Sequence, residues 1–104
     1  MTQDAQRDSR PSNALDRHRA RIEALADAYG VTNIRVFGST ARGADHEGSD
    51  LDLLVDPSPD TTLFDLAALQ DALEELTGVR VDLRTPAEIS VHIRARVLGE
   101  ARPL

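Results

Sequence analysis

The sequence predicts an α/β (α+β) fold, a small mixed sheet of about three to four strands with helices packed on one face. Length is the first reason. A chain of 104 residues makes one small domain and buries only about two-thirds of the surface its unfolded form exposes. It can hold one core but not a separate substrate domain. Periodicity is the second reason. Three short stretches carry the two-residue alternation of a strand, and the longer stretches around them place Leu, Ile and Ala at helical spacing. The third is order: helix, strand, turn, strand, helix, strand and helix follow one another from Asn13 to Gly99, with no internal repeat and no linker.

Met1 to Pro11, rich in Gln, Asp, Arg and Ser, is expected to fray. That puts a flexible segment at residues 1–12 and a folded domain at residues 13–104. Ser12 or Asn13 can cap the first helix, whose Leu15, Ile22, Leu25, Ala26 and Tyr29 share a face, and Gly30 sits where its C-cap is expected. Asn33 to Phe37 reads as a strand ended by Gly38, and Ser39 to Gly43 as a tight turn or a first helical turn. A polar loop, Ala44 to Ser49, leads to a second strand over Asp50 to Val55. There Leu51, Leu53 and Val55 take one face, and Asp50 and Asp52 take the other.

Thr61 or Thr62 caps the next helix, whose stripe of Leu66, Leu69, Leu73 and Leu76 is stopped by Gly78. Val79 to Arg84 is the third strand, with Val79, Val81 and Leu83 opposite Arg80, Asp82 and Arg84. Thr85-Pro86-Ala87-Glu88 then opens a last helix. Thr85 is its cap, Pro86 its first residue and Glu88 the closing member of a capping box. That helix carries Ile89, Ile93 and Val97 and stops near Gly99.

Composition narrows the function classes. An aromatic fraction of 3% leaves the core to Leu, Val, Ile and Ala. The formal net charge of -6 argues against direct nucleic-acid binding, which needs a basic surface. It leaves room for a small anionic ligand held through a metal ion. Every basic side chain apart from His is Arg, which removes P-loop lysine, Schiff-base and lysine general-base chemistry. The absence of Cys removes disulfides, thiol catalysis and thiolate metal sites. No apolar run approaches the roughly 20 residues of a membrane span, and Met1 to Ser12 lacks a signal-peptide core. A cytoplasmic protein without membrane contact is expected.

The residues that carry chemistry cluster at the strand ends. Asp50 and Asp52 stand two apart, so their carboxylates leave one face about 7 Å apart along the chain. Two anions so placed repel, and a divalent cation resolves that; Mg²⁺ commonly uses one or two carboxylates plus substrate phosphates. Gly38 lets backbone approach a ligand, and Ser39, opening a helical turn, offers a hydroxyl and free N–H groups to phosphate. Arg42, one turn on, can add a guanidinium to the same phosphate, and Gly43 frees the loop. Asp82 joins Asp50 and Asp52 if the third strand pairs beside the second. Three carboxylates around two metal ions suit in-line nucleotidyl transfer, with Asp82 as ligand and proton acceptor.

Phe37-Gly38-Ser39, ten residues, then Asp50-Leu51-Asp52-Leu53 resembles the signature of the polymerase-β-like nucleotidyltransferase superfamily. The longer string from Gly38-Ser39-Thr40-Ala41-Arg42-Gly43 through Ser49-Asp50-Leu51-Asp52-Leu53-Leu54-Val55 is similar to its stand-alone branch, the minimal nucleotidyltransferases. Within that branch the chain resembles the MntA-type antitoxins of HEPN/MNT toxin–antitoxin pairs. The similarity runs from about Leu15 to Leu98, and Val97 to Ala101 looks like the closing helix of the family.

The resemblance implies a polymerase-β-like core, two Mg²⁺ ions and ATP as substrate. It implies nucleotide contacts from Gly38, Ser39, Arg42 and Ser49, and metal binding by Asp50, Asp52 and Asp82. It further implies transfer of AMP to a tyrosine of a HEPN-domain ribonuclease toxin, with which the chain would form a hetero-oligomer. Two alternatives stand beside this: an antitoxin that neutralises its toxin by contact alone, and transfer to a small molecule or an RNA end.

Several of these residues also have plainer explanations. Arg80 and Arg84 flank Asp82 on its own face, so a surface ion pair would account for it. Arg42 can be a solvated loop residue, and Asp56 a turn former before Pro57. His46 reads as a loop histidine because Mg²⁺ prefers oxygen, and His18 and His92 as ordinary helix residues. The stripe from Leu66 to Leu76 is most simply core.

Overall fold

The computed structural model describes residues 10–104. Helix α1 spans Pro11–Ala28, strand β1 Thr32–Phe37, the short helix α2 Gly38–Ala41 and β2 Leu51–Asp56. Helix α3 follows at Leu63–Thr77, β3 at Val81–Arg84, a 3₁₀ turn at Pro86–Glu88, α4 at Val91–Glu100 and β4 at Arg102–Pro103. The strands form one mixed sheet in the order β3-β2-β1-β4. β2 runs antiparallel to β1 and parallel to β3, and β1 is antiparallel to β4. Alternation in β2 sends Leu51, Leu53 and Val55 to one face, where they are fully buried against Ile22 of α1 and Leu69 and Leu73 of α3. This is the main core, and its apolar stripes are those legible in the sequence.

Helices cover both faces, whereas one covered face was expected. Leu54 points to the opposite side and is fully buried in a second small cluster with Ile89 and Val97, supported by Phe37 and Ala101. Helix α4 covers only the Leu54 end of that face. The carboxylate end stays open.

The start of β1, strand β2 and the end of α1 are each displaced by one residue from expectation, so that Asp50 lies just ahead of β2. The starts of α1, the last helix and β3 differ for local reasons. Helix α1 begins at Pro11, with Arg10 as its unassisted cap. The expected caps Ser12 and Asn13 lie inside it, and the free N–H of Ser12 instead donates to Asp45 Oδ2 at 2.8 Å, a cap supplied from a distant loop. Of the segment expected to fray, residues 1–9 lie outside the described residues, and Pro11 is buried. The last helix does not start at Thr85. Glu88 does close back on the Thr85 N–H at 2.9 Å, but it caps a single 3₁₀ turn, after which Ile89 turns extended to reach the Leu54 cluster. Ser90 then caps α4, whose Gly99 lies within the helix. Finally, β3 opens at Val81 because the Val79 N–H bonds to the Thr77 hydroxyl at the end of α3.

At the start of α3 the capping box is formed by Thr62 and Asp65, with Asp65 N–H to Thr62 Oγ1 at 3.1 Å and Thr62 N–H to Asp65 Oδ2 at 2.9 Å. Gly78, at φ +76°, ends the helix in the left-handed conformation that glycine adopts at least cost. Among the described residues no helix is long and apolar enough to cross a membrane.

Candidate active site

The open face carries a row built by strand register. Asp52 of β2 pairs with Asp82 of β3 on one side and Phe37 of β1 on the other. Strand alternation then brings all three side chains to one face, with Asp50 just ahead of the strand. The carboxylates do not sit alike. Asp50 Oδ1 takes a hydrogen bond from Arg80 Nε at 3.2 Å, and Asp82 Oδ1 takes one from Arg84 Nε at 2.9 Å. Both arginines are well exposed. Asp52 is half-buried and has no ion pair among the described residues. Burial first, then the charges of Asp82 and Asp50, push its pKa up to about 6. Arg84, bonded to Asp82, has its own pKa raised.

Gly38 closes on this row from β1. Its φ is +69°, and a Cβ there would collide with the Asp52 carboxylate, whose carbon would lie 3.0 Å away. Glycine is therefore required twice at this position, by backbone conformation and by space. The turn it opens already holds an anion. Glu100, on the last residue of α4, accepts from the Gly38 N–H at 3.0 Å through Oε2 and from Arg42 Nη1 at 3.1 Å through Oε1. The Gly38 hydrogen bond foremost, opposed by burial and helped by Arg42, lowers the Glu100 pKa. The Arg102 guanidinium donates to Ala41 O and ties β4 to the same turn. Thr40 Oγ1 is buried in the turn with no hydrogen-bond partner.

The residues expected to bind nucleotide thus divide. Gly38, half-buried Ser39 and Arg42 form one turn beside Asp52. Ser49 serves its own loop, its hydroxyl accepting from the His46 N–H at 3.0 Å. His46 is exposed, with Nδ1 2.9 Å from Glu47 O. Asp82 is ion-paired with Arg84, and it also stands beside Asp52 across the β2–β3 pairing. Sequence reasoning missed Glu100. One signal was available, because a carboxylate in the last turn of a helix faces the negative end of the helix dipole and needs a local reason to be there. On the other side of Asp52, a groove of about 480 Å³ runs between the carboxylates and α4, with Phe37, Asp82, Arg84, Ile93 and Val97 in its walls.

Among the described residues no three His, Asp or Glu side chains converge as a ready-made cation cage. The donor chemistry nevertheless fits Mg²⁺: Asp50, Asp52 and Asp82 offer hard carboxylate oxygens on one face. The unfavourable ionisation of Asp52 is a frustration that a divalent cation would relieve. Seating such an ion requires Arg80 and Arg84 to release their partners.

Comparison with known proteins agrees with this geometry. The family model described as a nucleotidyltransferase domain matches residues 18–104. The chain belongs to the nucleotidyltransferase-domain family. Within the family, it is 40% identical over 81 residues to the protein adenylyltransferase MntA of Thermococcus cleftensis, covering 78% of this chain and 82% of the relative. A solved structure assigned to the minimal nucleotidyltransferases shares 47% identity and superposes with a TM-score of 0.76 over 86% of this chain and 95% of its own. A toxin–antitoxin structure with AMP-PNP, 22% identical, superposes with a TM-score of 0.70 over 81% of this chain and 69% of that one, a likeness of fold. The expected fold class therefore holds for this nucleotidyltransferase domain, as does its membership of the minimal branch.

Proposed function

We propose that this nucleotidyltransferase domain transfers AMP from ATP to a hydroxyl, most suitably a tyrosine, of a partner HEPN ribonuclease toxin, and acts in the cytoplasm as that toxin's antitoxin within a hetero-oligomer. One observation carries the reading: an uncompensated, half-buried Asp52 stands between two further carboxylates and beside a turn that already holds an anion. The adenylyltransferase name of the Thermococcus relative and the ATP analogue in the toxin–antitoxin neighbour support the donor and the kind of acceptor.

In the transfer, the acceptor oxygen bonds to the α-phosphorus of ATP, the bond from that phosphorus to the bridging oxygen breaks, and pyrophosphate leaves. The Gly38 N–H, Ser39 and Arg42 hold the β- and γ-phosphates, and Asp82 takes the hydroxyl proton. Mg²⁺ held by Asp50, Asp52 and Asp82 would supply charge neutralisation and a more acidic acceptor.

Incubation of the protein and its neighbouring-gene toxin with α-labelled ATP and Mg²⁺ tests this. Label on the toxin is expected with the wild type and none with Asp50→Ala/Asp52→Ala. Equal label from that variant would overturn the reading. If no label transfers, and Asp52→Asn suppresses the toxin as well as the wild type does, neutralisation by contact takes its place.

A further inference from the structure

Glu100 occupies the position that the reading above gives to a phosphate. Its carboxylate accepts from the Gly38 N–H and from Arg42, one oxygen on each. A single N–H cannot serve a carboxylate and a phosphate together, so nucleotide and Glu100 exclude one another at this turn. The position is otherwise a poor one for an acid, since the C-terminal end of a helix repels negative charge. What keeps Glu100 there is the turn itself, whose Gly38 N–H and Arg42 both favour its ionised form. The same turn contains a buried hydroxyl without a partner, Thr40 Oγ1, that the carboxylate leaves unserved.

We propose that Glu100 is a displaceable internal anion, an autoinhibitory latch on the phosphate turn that every incoming triphosphate must open and that returns as pyrophosphate departs. The inference rests on the nucleotide-binding reading of the site. Opening costs one backbone hydrogen bond and one half-exposed ion pair, a small barrier that lowers affinity without abolishing it. In its apparent effect, the latch reduces affinity by the fraction of molecules in which the turn is free. It acts equally on any ligand that uses the turn, so ATP and pyrophosphate are weakened by one common factor.

Calorimetric titration of the full chain with Mg·ATP and with Mg·pyrophosphate tests this. Glu100→Gln removes the charge. Glu100→Asp keeps the charge but shortens the reach, so it separates the latch from a change in net charge. Both variants are expected to bind both ligands about three- to tenfold more tightly than the wild type, by the same factor for each. In the transfer reaction the gain falls on KM for ATP, with kcat unchanged or reduced where pyrophosphate release is limiting. Unchanged or weaker binding by the variants, with thermal melts showing them folded and the wild type binding measurably, would overturn the latch. A structural role for Glu100 predicts that opposite sign, weaker binding alongside a lower melting temperature. If neither wild type nor variants bind Mg·ATP, the nucleotide-binding reading fails first and the latch with it.

Discussion

Asp52→Asn is expected to stabilise the metal-free protein at neutral pH while destroying its chemistry. The unfolded chain ionises Asp52 near 3.8, and the folded chain does so only at about 6. Below about pH 3 both states hold the proton, and the substitution is close to neutral in stability. Between about pH 4 and 6 the unfolded state gives up its proton first, so wild-type stability falls as pH rises; above that window the whole cost is present. The interval corresponds to an upper limit of about 3 kcal/mol, and because Asp52 is only half-buried, solvent screening brings it to on the order of 1–2 kcal/mol.

In a domain of this size that is a rise in Tm of about 5–10 °C. Thermal melts in EDTA at pH 3 and pH 7.5 read it directly. The variant should coincide with the wild type at the lower pH and exceed it at the higher. Added Mg²⁺ should raise the wild-type Tm at pH 7.5 and leave the variant largely unmoved. A variant no more stable than wild type at pH 7.5 would refute the account of Asp52 as an uncompensated charge.

Two further substitutions probe how the site is positioned. Gly38→Ala meets both a positive φ and the Asp52 carboxylate; it should cost about 1–3 kcal/mol in urea unfolding and lower transfer by at least about tenfold through displacement of the turn. Asp45→Ala removes the distant cap on α1 and should cost about 1–2 kcal/mol. Burial works against the charge on Asp45, but the hydrogen bonds from Ser12 outweigh it and lower the pKa, so the stabilisation is present at neutral pH and is lost on acidification through its titration. A chemical-denaturation series from pH 7 to pH 3 checks this, with wild type and variant converging at the acid end.

The apolar stripes of α1 and α3 and the alternation in β2 were legible because each follows a single local period, and those residues form the core. Asp50 and Asp52 were legible for the same reason: alternation alone assigns them a face. Asp82 needed the register of β3 against β2, which is a tertiary fact. Local signals misled at two places where a distant group took over a local role. Ser12 looked like a cap, but Asp45 caps the helix from 33 residues away. Thr85 and Glu88 form the box that the sequence announces, yet Leu54 and Val97 draw Ile89 out of helical conformation to fill the second core. Strand β4 is two residues long and carries no period to recognise. The Glu100 contact spans 62 residues to Gly38 and is equally invisible to local pattern.

The ion pairs of Asp50 and Asp82 do not count against a catalytic site. Exposed pairs of this kind contribute about 0–1 kcal/mol each, and Arg80 and Arg84 are both largely solvated. On the proposed reading, a divalent cation at the carboxylates would displace them at little cost and would free two guanidinium groups beside an arriving triphosphate. Glu100 stands in the same relation to Arg42. In the resting chain, then, most charges around the row are matched by weak internal partners that, on the proposed reading, a metal-bound nucleotide would replace one for one. Among the described residues of the row, Asp52 alone lacks such a partner, so its ionisation, rather than any ion pair, is the interaction through which the folded chain would gain most if a cation bound.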